Sequence, residues 1–232
     1  MRQWRLSDRV LGWFQRRFAS GHTDYVPQRG SRDHVIILDG TLSSLAPGEE
    51  TNAGLTYKLL REQSGVSVYY EAGIQWQDWR ATPDVVIGRG INRQICRAYG
   101  FLASRYRPGD RIFLIGFSRG AYAVRSLAGV IDRIGLIAAE HATERNIRQI
   151  YRLYRYAPSG DAADTFRARY CHAAAPIEMV GVWDTVKALG LRLPLVWRVS
   201  AAQHDFHNHE LGAAIRHGFH ALALDERRLA YA

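Results

Sequence analysis

The sequence predicts an α/β fold in which a mostly parallel sheet carries helices on both of its faces. Short runs of β-branched and other apolar residues alternate along the chain with longer segments of helical periodicity, as in parallel βαβ units. Three of the apolar runs end in polar motifs: DGT at 39–41, GFSRG at 116–120 and VWDT at 182–185. With 232 residues, 47% of them hydrophobic, the chain is long enough to bury one sizeable core.

The first half of the domain begins with a β-branched run and contains two strand and two helix patterns. The apolar runs HVIILD and VSVYYEAG predict strands, and two segments of helical period predict helices, so that the order is strand 34–39, helix 51–61, strand 66–73 and helix 91–106. Thr51 or Asn52 is the expected cap of the first helix. Residues 74–90 contain two tryptophans, a proline and two glycines, which predicts an excursion of loop and short helix.

The second half contains the strongest strand and the strongest helix pattern, at 111–118 and 121–134. Residues 140–169 are polar and predict exposed helices, and IEMVGVWD at 177–184 predicts a fourth buried strand. Because the carboxyl ends of parallel strands lie at one edge of a sheet, we expect the three polar motifs to converge there. Open α/β sheets form their binding sites at this edge.

The N-terminal segment 1–20 predicts an amphipathic helix ahead of the main domain at 33–232. Trp4, Phe14 and Phe18 fall near one face, and most arginines lie elsewhere. Such a helix either docks on its own domain, which we favour, or makes peripheral contact with an anionic membrane surface. Arginines interrupt every apolar stretch that a secretory signal would need, so the expected location is cytoplasmic, with peripheral membrane binding or delivery by a secretion system as alternatives.

The net charge is +9, and Lys58 and Lys187 are the only lysines, so arginine carries the positive charge. Guanidinium groups favour phosphate-bearing partners, but these arginines are scattered rather than clustered, and we expect no nucleic-acid partner. Cys96 and Cys171 have neither metal-ligand nor redox spacing and are expected to be reduced thiols. No cofactor and no metal ion are expected.

The segment Gly116-Phe117-Ser118-Arg119-Gly120 matches the G-x-S-x-G pattern of a nucleophile elbow. This elbow is a tight strand-to-helix turn that raises the serine hydroxyl above the sheet in a strained backbone conformation, with glycines where side chains would collide. The pattern is short, but a β-branched strand precedes it here and a long helix follows. We therefore predict that Ser118 is a nucleophile and that the Arg119 amide donates to a developing oxyanion.

A serine nucleophile needs a base, and the base needs an orienting acid. Asp184 ends the fourth predicted strand and is the preferred acid. Its rival, Asp39, also ends a strand but precedes the nucleophile, in the turn that usually supplies the second oxyanion amide. The backbone amides of Gly40 and Thr41 are the candidates for that donor.

The chain order serine, acid, histidine limits the base to histidines that follow Asp184, namely His204, His207, His209, His217 and His220. The cluster HDFHNHE at 204–210 has mixed spacing and predicts a solvated loop rather than a metal site. His220 lies in GFHALALDERR and is the candidate base, with a structural role in a strand-end loop as the alternative.

Several further motifs occur in the order found in one known family: VIILDGT, TNAGL, AYGFL with YRPGD, LIGFSRGAYAVRSLAGVI, VGVWDTV and HALALDERR. On these motifs the chain resembles the domain-of-unknown-function 2235 group, which comprises α/β-hydrolase domains, some of them in bacterial type VI secretion phospholipase effectors. The resemblance covers about residues 34–230. It implies an α/β-hydrolase-like sheet and a serine hydrolase of carboxylic esters, with a phospholipid as substrate, Ser118 as nucleophile and Asp184 as acid.

The sequence departs from this family at its end. Family members continue beyond HALALDERR into another strand and a segment resembling W-F-x-G-x-H-x-D-V-G, whose histidine is a strong candidate for the base; here the sequence ends at Ala232. Either His220 serves as the base or the base is missing, and the second is slightly favoured. In the second case the chain is a catalytically impaired or partial module acting in binding or assembly, and a partner chain is expected to cover the C-terminal edge of the sheet.

Overall fold

The computed structural model describes residues 30–41, 43–73, 89–185 and 212–224. The chain divides into two compact units, Met1–Gly30 and Ser31–Ala232, and nearly all of the first lies outside the described residues. The strands are β1 (Asp33–Leu38), β2 (Val66–Glu71), β3 (Arg111–Phe117), β4 (Ile177–Trp183) and β5 (Ile215–Ala221). The helices are α1 (Asn52–Leu60), α2 (Arg89–Ala103), α3 (Arg119–Arg133), α4 (Glu144–Tyr156) and α5 (Asp161–Tyr170), with a 3-10 turn at Ala139–His141.

The five described strands form one sheet in the order β2-β1-β3-β4-β5, and every neighbouring pair is parallel. The chain moves outward in one direction from β1 to β2 and in the other from β3 to β5. The order therefore reverses between β1 and β3, and a crevice opens between their carboxyl ends. The α/β fold with its mostly parallel sheet, predicted from the sequence, is confirmed.

Helices cover both faces of the sheet. On one face, α2, α3, α4 and α5 enclose the larger core, which includes Ile36, Leu38, Leu114 and Leu127, all fully buried. On the other face, α1 packs over a smaller cluster centred on Val35, Ile37, Ala53 and Ile115. Side chains alternate between the two faces along β1 and β3, so both central strands are buried on each side.

Two parts of the sequence prediction differ from the structure. The segment 140–169 is not simply exposed, because Tyr154 of α4 and Phe166 of α5 are buried against the main core. A fifth strand, β5, was not predicted. Its sequence IRHGFHA lacks the β-branched run typical of a buried strand, and all its residues after Ile215 are exposed. The predicted excursion at 74–90 falls almost entirely outside the described residues.

A buried carboxylate at the opposite, N-terminal edge joins the starts of β1 and β3. Asp110 accepts hydrogen bonds from the backbone amides of Arg32 and Arg107, at 2.9 and 3.0 Å. It also contacts the ring Nε2 of buried His34 at 2.9 Å. This carboxylate therefore fixes the relative height of the two strands that flank the crevice.

Replacing Asp110 by alanine should lower the free energy of unfolding by about 2–3 kcal/mol, because several buried polar groups lose their acceptor. Denaturant unfolding followed by circular dichroism measures this. Asp33→Ala is the matched control, since Asp33 forms an exposed ion pair with Arg111, and such pairs contribute little. Equal losses of unfolding free energy in the two variants would contradict the role given to the burial of Asp110.

Candidate active site

Ser118 lies in a strained turn between β3 and α3. Its φ and ψ are 55° and −119°, in a region that residues other than glycine rarely occupy. Its amide donates to the Trp183 carbonyl of β4 at 3.0 Å, and α3 begins at the next residue, Arg119. The geometry of a strand, a strained serine and a helix is the local structure that the G-x-S-x-G pattern requires.

The two glycines of the motif lie where backbones touch. A Cβ on Gly120 would stand 2.0 Å from the carbonyl oxygen of Leu38 in β1, and one on Gly116 would stand 2.6 Å from the Cα of Ala121. Real Cβ atoms essentially never lie within 3.0 Å of another non-bonded heavy atom, so neither position has room for a side chain. Helix α3 thus begins in direct contact with β1, and the chain can turn at Ser118 only because these two positions carry no side chain.

The turn after β1 lies beside Ser118. A Cβ on Gly40 would stand 2.7 Å from the Phe117 ring and 3.3 Å from Ser118 Cβ. The Gly40 amide donates to Asp39 Oδ1 at 2.7 Å, so in this arrangement it is already engaged. Of the two predicted oxyanion donors in this turn, Thr41 therefore has the more suitable amide.

Asp39 is buried, with 1% of its surface exposed. Besides the Gly40 amide, its carboxylate accepts hydrogen bonds from Thr51 Oγ1 at 2.7 Å and from the Tyr70 hydroxyl at 2.8 Å. Three donors thus surround the carboxylate. This arrangement fits a structural anchor of the turn better than an acid that orients a histidine.

Asp184 follows β4 at the same edge of the sheet, with a φ of 38°. Its amide donates to the Ala221 carbonyl at 2.9 Å, and its Oδ1 accepts from the Ala223 amide at 2.6 Å. The residue therefore joins the ends of β4 and β5. Asp184 thus stands at the end of the strand adjacent to β3, directly after Trp183, whose carbonyl accepts from the Ser118 amide.

His220 lies within β5 rather than in a loop beyond a strand end. It pairs with Val182, which in turn pairs with Gly116. Ser118 is thus about 10 Å away across the sheet and about 6 Å further along the strand direction, from the usual strand spacing and rise. The Thr185 amide donates to His220 Nε2 at 3.3 Å. The described arrangement does not bring His220 to Ser118, and its role as base stays a prediction.

Of the other candidates for the base, one lies within the described residues and three lie outside them. His217 is exposed on β5, and His204, His207 and His209 lie outside the described residues. Within the described part of the chain no group of histidine, cysteine and acidic side chains could hold a metal ion. No helix in that part is both long and apolar enough to cross a membrane.

The cysteines are poor alternative nucleophiles. Cys96 and Cys171 are half-buried free thiols, and burial raises the pKa of each to about 11. The thiolate is the reactive form of cysteine, and at neutral pH both groups are protonated almost entirely. Ser118 therefore remains the candidate nucleophile of the described site.

The sequence predicts Ser118, Asp184 and the Gly40-Thr41 turn as parts of the site, but it does not predict the groups that hold this turn. Thr51 was singled out only as a candidate helix cap, and Tyr70 was not singled out. Thr51 does cap α1, since its hydroxyl accepts from the Gly54 amide at 3.0 Å, and the same hydroxyl donates to Asp39. A threonine cap following a strand-end aspartate was the available signal, but the contact itself depends on the tertiary fold.

Comparison with known proteins gives a family match over most of the chain. The model of the family described as type VI secretion, phospholipase effector Tle1-like, catalytic domain matches residues 32–232. A curated protein of Saccharomyces cerevisiae, the uncharacterized protein YEL023C, is 28% identical over 222 residues, which cover 84% of this chain and 31% of the yeast protein. The chain thus spans about a third of the length of that relative. No solved structure matches the chain.

Gly120→Ala should destabilise the protein by about 3 kcal/mol or more, because the added methyl group overlaps a backbone carbonyl that cannot move aside. Thermal and denaturant unfolding measure the loss. Gly30→Ala is the control: Gly30 has no atom within 4 Å of the added carbon and should tolerate it. A stable Gly120→Ala protein would show that α3 and β1 do not pack as described.

Proposed function

The chain belongs to the Tle1-like phospholipase effector catalytic-domain family of type VI secretion, and from this membership we propose that it hydrolyses carboxylic esters of phospholipids with Ser118 as nucleophile. The observation that carries the proposal is the strained Ser118 between two glycines that permit backbone contact. An exposed serine in an ordinary turn would need neither the strain nor the close packing.

In the proposed reaction, Ser118 Oγ attacks the acyl carbon and transfers its proton to a general base. The carbonyl oxygen becomes an oxyanion, which accepts hydrogen bonds from the amides of Arg119 and Thr41. Collapse expels the lipid alcohol, which takes the proton back, and leaves an acyl-enzyme. Water then attacks the acyl carbon, gives its proton to the base, and releases the fatty acid as Ser118 recovers its hydrogen.

Asp184 is the proposed acid of the triad. Asp39 has three donors on its carboxylate, whereas Asp184 stands at the end of the strand adjacent to β3 with one described donor on Oδ1. The base stays open between His220 and the histidines at 204, 207 and 209. In the described arrangement His220 pairs with Val182 and accepts from the Thr185 amide, and no described hydrogen bond joins it to Ser118.

One observation favours a second candidate function. Because His220 accepts from the Thr185 amide and has no described hydrogen bond to Ser118, the chain would bind a lipid ester without turning it over efficiently if no other base is supplied. This is the catalytically impaired module, acting in binding or assembly. The relation to the domain-of-unknown-function 2235 group is likewise a proposal. A bacterial setting is not required by it, since the curated relative is a yeast protein.

Two partners are proposed besides the lipid substrate. The first is a partner chain along β5, which forms an edge of the described sheet and exposes 62% of Phe219. The second is an anionic membrane surface, contacted through residues 1–20, a segment that lies outside the described residues. No nucleic-acid partner is proposed.

A fluorophosphonate probe, which phosphonylates activated serines, tests the proposed reaction. We expect wild-type protein to be labelled, Ser118→Ala to abolish labelling, and Asp184→Asn to slow it by about 10⁴-fold, as expected on loss of the acid of a triad. Release of fatty acid from phospholipid vesicles should follow the same order. Folded wild-type protein that neither reacts with the probe nor cleaves lipid would overturn the enzyme proposal in favour of the binding module.

His220→Ala in the same assay tests the base. Because the ring accepts from the Thr185 amide and has no described hydrogen bond to Ser118, we expect the labelling rate to fall by less than about tenfold, against the several orders of magnitude that loss of a true base costs. His217→Ala, on the same strand, is the matched control. A loss as large as that of Asp184→Asn would identify His220 as the base.

Membrane contact is tested by co-sedimentation with vesicles rich in anionic lipid. Removal of residues 1–20 should reduce the bound fraction, because it removes both aromatic side chains and arginines. High salt should weaken binding of the whole chain. Equal binding with and without the segment would contradict the proposal.

A further inference from the structure

We propose that Asp39 is a positioning residue whose buried carboxylate orients the Thr41 amide toward Ser118. The carboxylate would then act through the turn rather than on the substrate. This inference rests on the proposed function of Ser118. It assigns to Asp39, Thr51 and Tyr70 a task in the reaction that goes beyond holding the fold together.

First, burying the Asp39 carboxylate carries a free-energy cost. Asp39 is 1% exposed, and a buried charge is unfavourable unless hydrogen bonds compensate it. Here the amide of Gly40 and the hydroxyls of Thr51 and Tyr70 all donate to it. Well-packed apolar residues often stabilise a fold as well as buried charges do, or better. Stability alone therefore does not explain a buried carboxylate with three donors.

The second step is the direction of the next peptide group. The Gly40 carbonyl accepts from the Ser43 amide at 3.2 Å, and the peptide bonds described are all trans. In a trans peptide the N–H points opposite to the C=O. The Thr41 amide therefore points away from Ser43, and among the described residues it has no acceptor.

The third step is what surrounds this peptide. A Cβ on Gly73 would lie 2.1 Å from the Gly40 oxygen and 2.7 Å from the Thr41 nitrogen, so the backbone at Gly73 packs directly against the peptide. A Cβ on Gly40 would meet the Phe117 ring and approach Ser118 Cβ, so the turn also packs against the elbow. The Asp39 bond to the Gly40 amide fixes the preceding peptide, and packing against Gly73 restrains the rotation of this one.

The fourth step links the carboxylate to two larger elements. Thr51 is the cap of α1, and Tyr70 belongs to β2 and stacks on Tyr57 of α1 at 4.7 Å between ring centres. Burial, and after it the hydrogen bond to Asp39, raise the pKa of the Tyr70 phenol. The hydroxyl therefore stays protonated at neutral pH and remains a donor to Asp39.

The experiment compares four variants by fluorophosphonate kinetics, with reversible binding of the probe separated from phosphonylation. Asp39→Asn removes the charge and replaces one of the two acceptor oxygens by an N–H₂ group, so that the three donors can no longer all be satisfied; it should slow phosphonylation by about 100-fold, the effect of losing one oxyanion donor. Thr51→Val should slow it by about tenfold, and Thr51→Ser, which keeps the hydroxyl, should restore it. Tyr70→Phe should also slow it by about tenfold, while probe binding changes less than about twofold in every variant.

Tyr57→Phe is the matched control, because it keeps the ring stacking and leaves all three bonds to Asp39 in place. Denaturant unfolding of each variant determines the folded fraction, and rates are compared per folded molecule. If Asp39→Asn does not fold, the test rests on the nearly isosteric Tyr70→Phe and on the comparison of Thr51→Val with Thr51→Ser. Folded variants that lose stability but keep the wild-type phosphonylation rate would overturn the inference and leave Asp39 a purely structural residue.

Ser118→Ala separates failure of this inference from failure of the proposed function. Labelling that requires Ser118 but is unchanged in the Thr51→Val and Tyr70→Phe proteins overturns only the positioning role. Wild-type protein without Ser118-dependent labelling overturns the proposed function, and the positioning role with it.

Discussion

The described site depends on the contact between the first turn of α3 and the end of β1. At Gly120 the helix backbone approaches the Leu38 carbonyl so closely that no Cβ fits between them. This contact places the N-terminus of α3, and with it the Arg119 amide, next to the turn that follows β1. The two amides proposed to hold the oxyanion come from segments far apart in sequence, and they meet because two backbones touch without side chains between them.

The charge of Asp39 introduces a tension into this arrangement. A carboxylate close to the proposed oxyanion site would oppose the negative charge that develops in an acyl-transfer reaction. The donors around Asp39 direct their positive ends at the carboxylate and offset part of its field. A neutral side chain would avoid the repulsion but would hold the Gly40 amide less firmly. The structure thus combines strong orientation of the turn with some electrostatic cost.

Local sequence signals were sufficient for the elbow and the central strands. The run before Ser118 is β-branched and apolar, and the glycines on either side have a local steric reason, so strand, turn and helix followed from adjacent residues. β5 could not be predicted in this way, because at the edge of the described sheet its residues are exposed and need no apolar pattern. The partners of Asp39 were also beyond prediction, since α1 and β2 carry Thr51 and Tyr70 to it only in the folded chain. The register of His220 was not predictable either, because the strand pairing that sets it level with Val182 and Gly116 is a property of the folded sheet.

The hydroxyl of Thr51 accepts from the first turn of α1 and donates to Asp39 at the same time. A fluctuation that unravels the start of α1 therefore also releases one of the three groups that hold the turn beside Ser118. We therefore expect the start of α1 and the proposed site to open together, as one cooperative unit. In a lipid hydrolase, such coupling would abolish activity in a partly unfolded molecule before the rest of the chain unfolds.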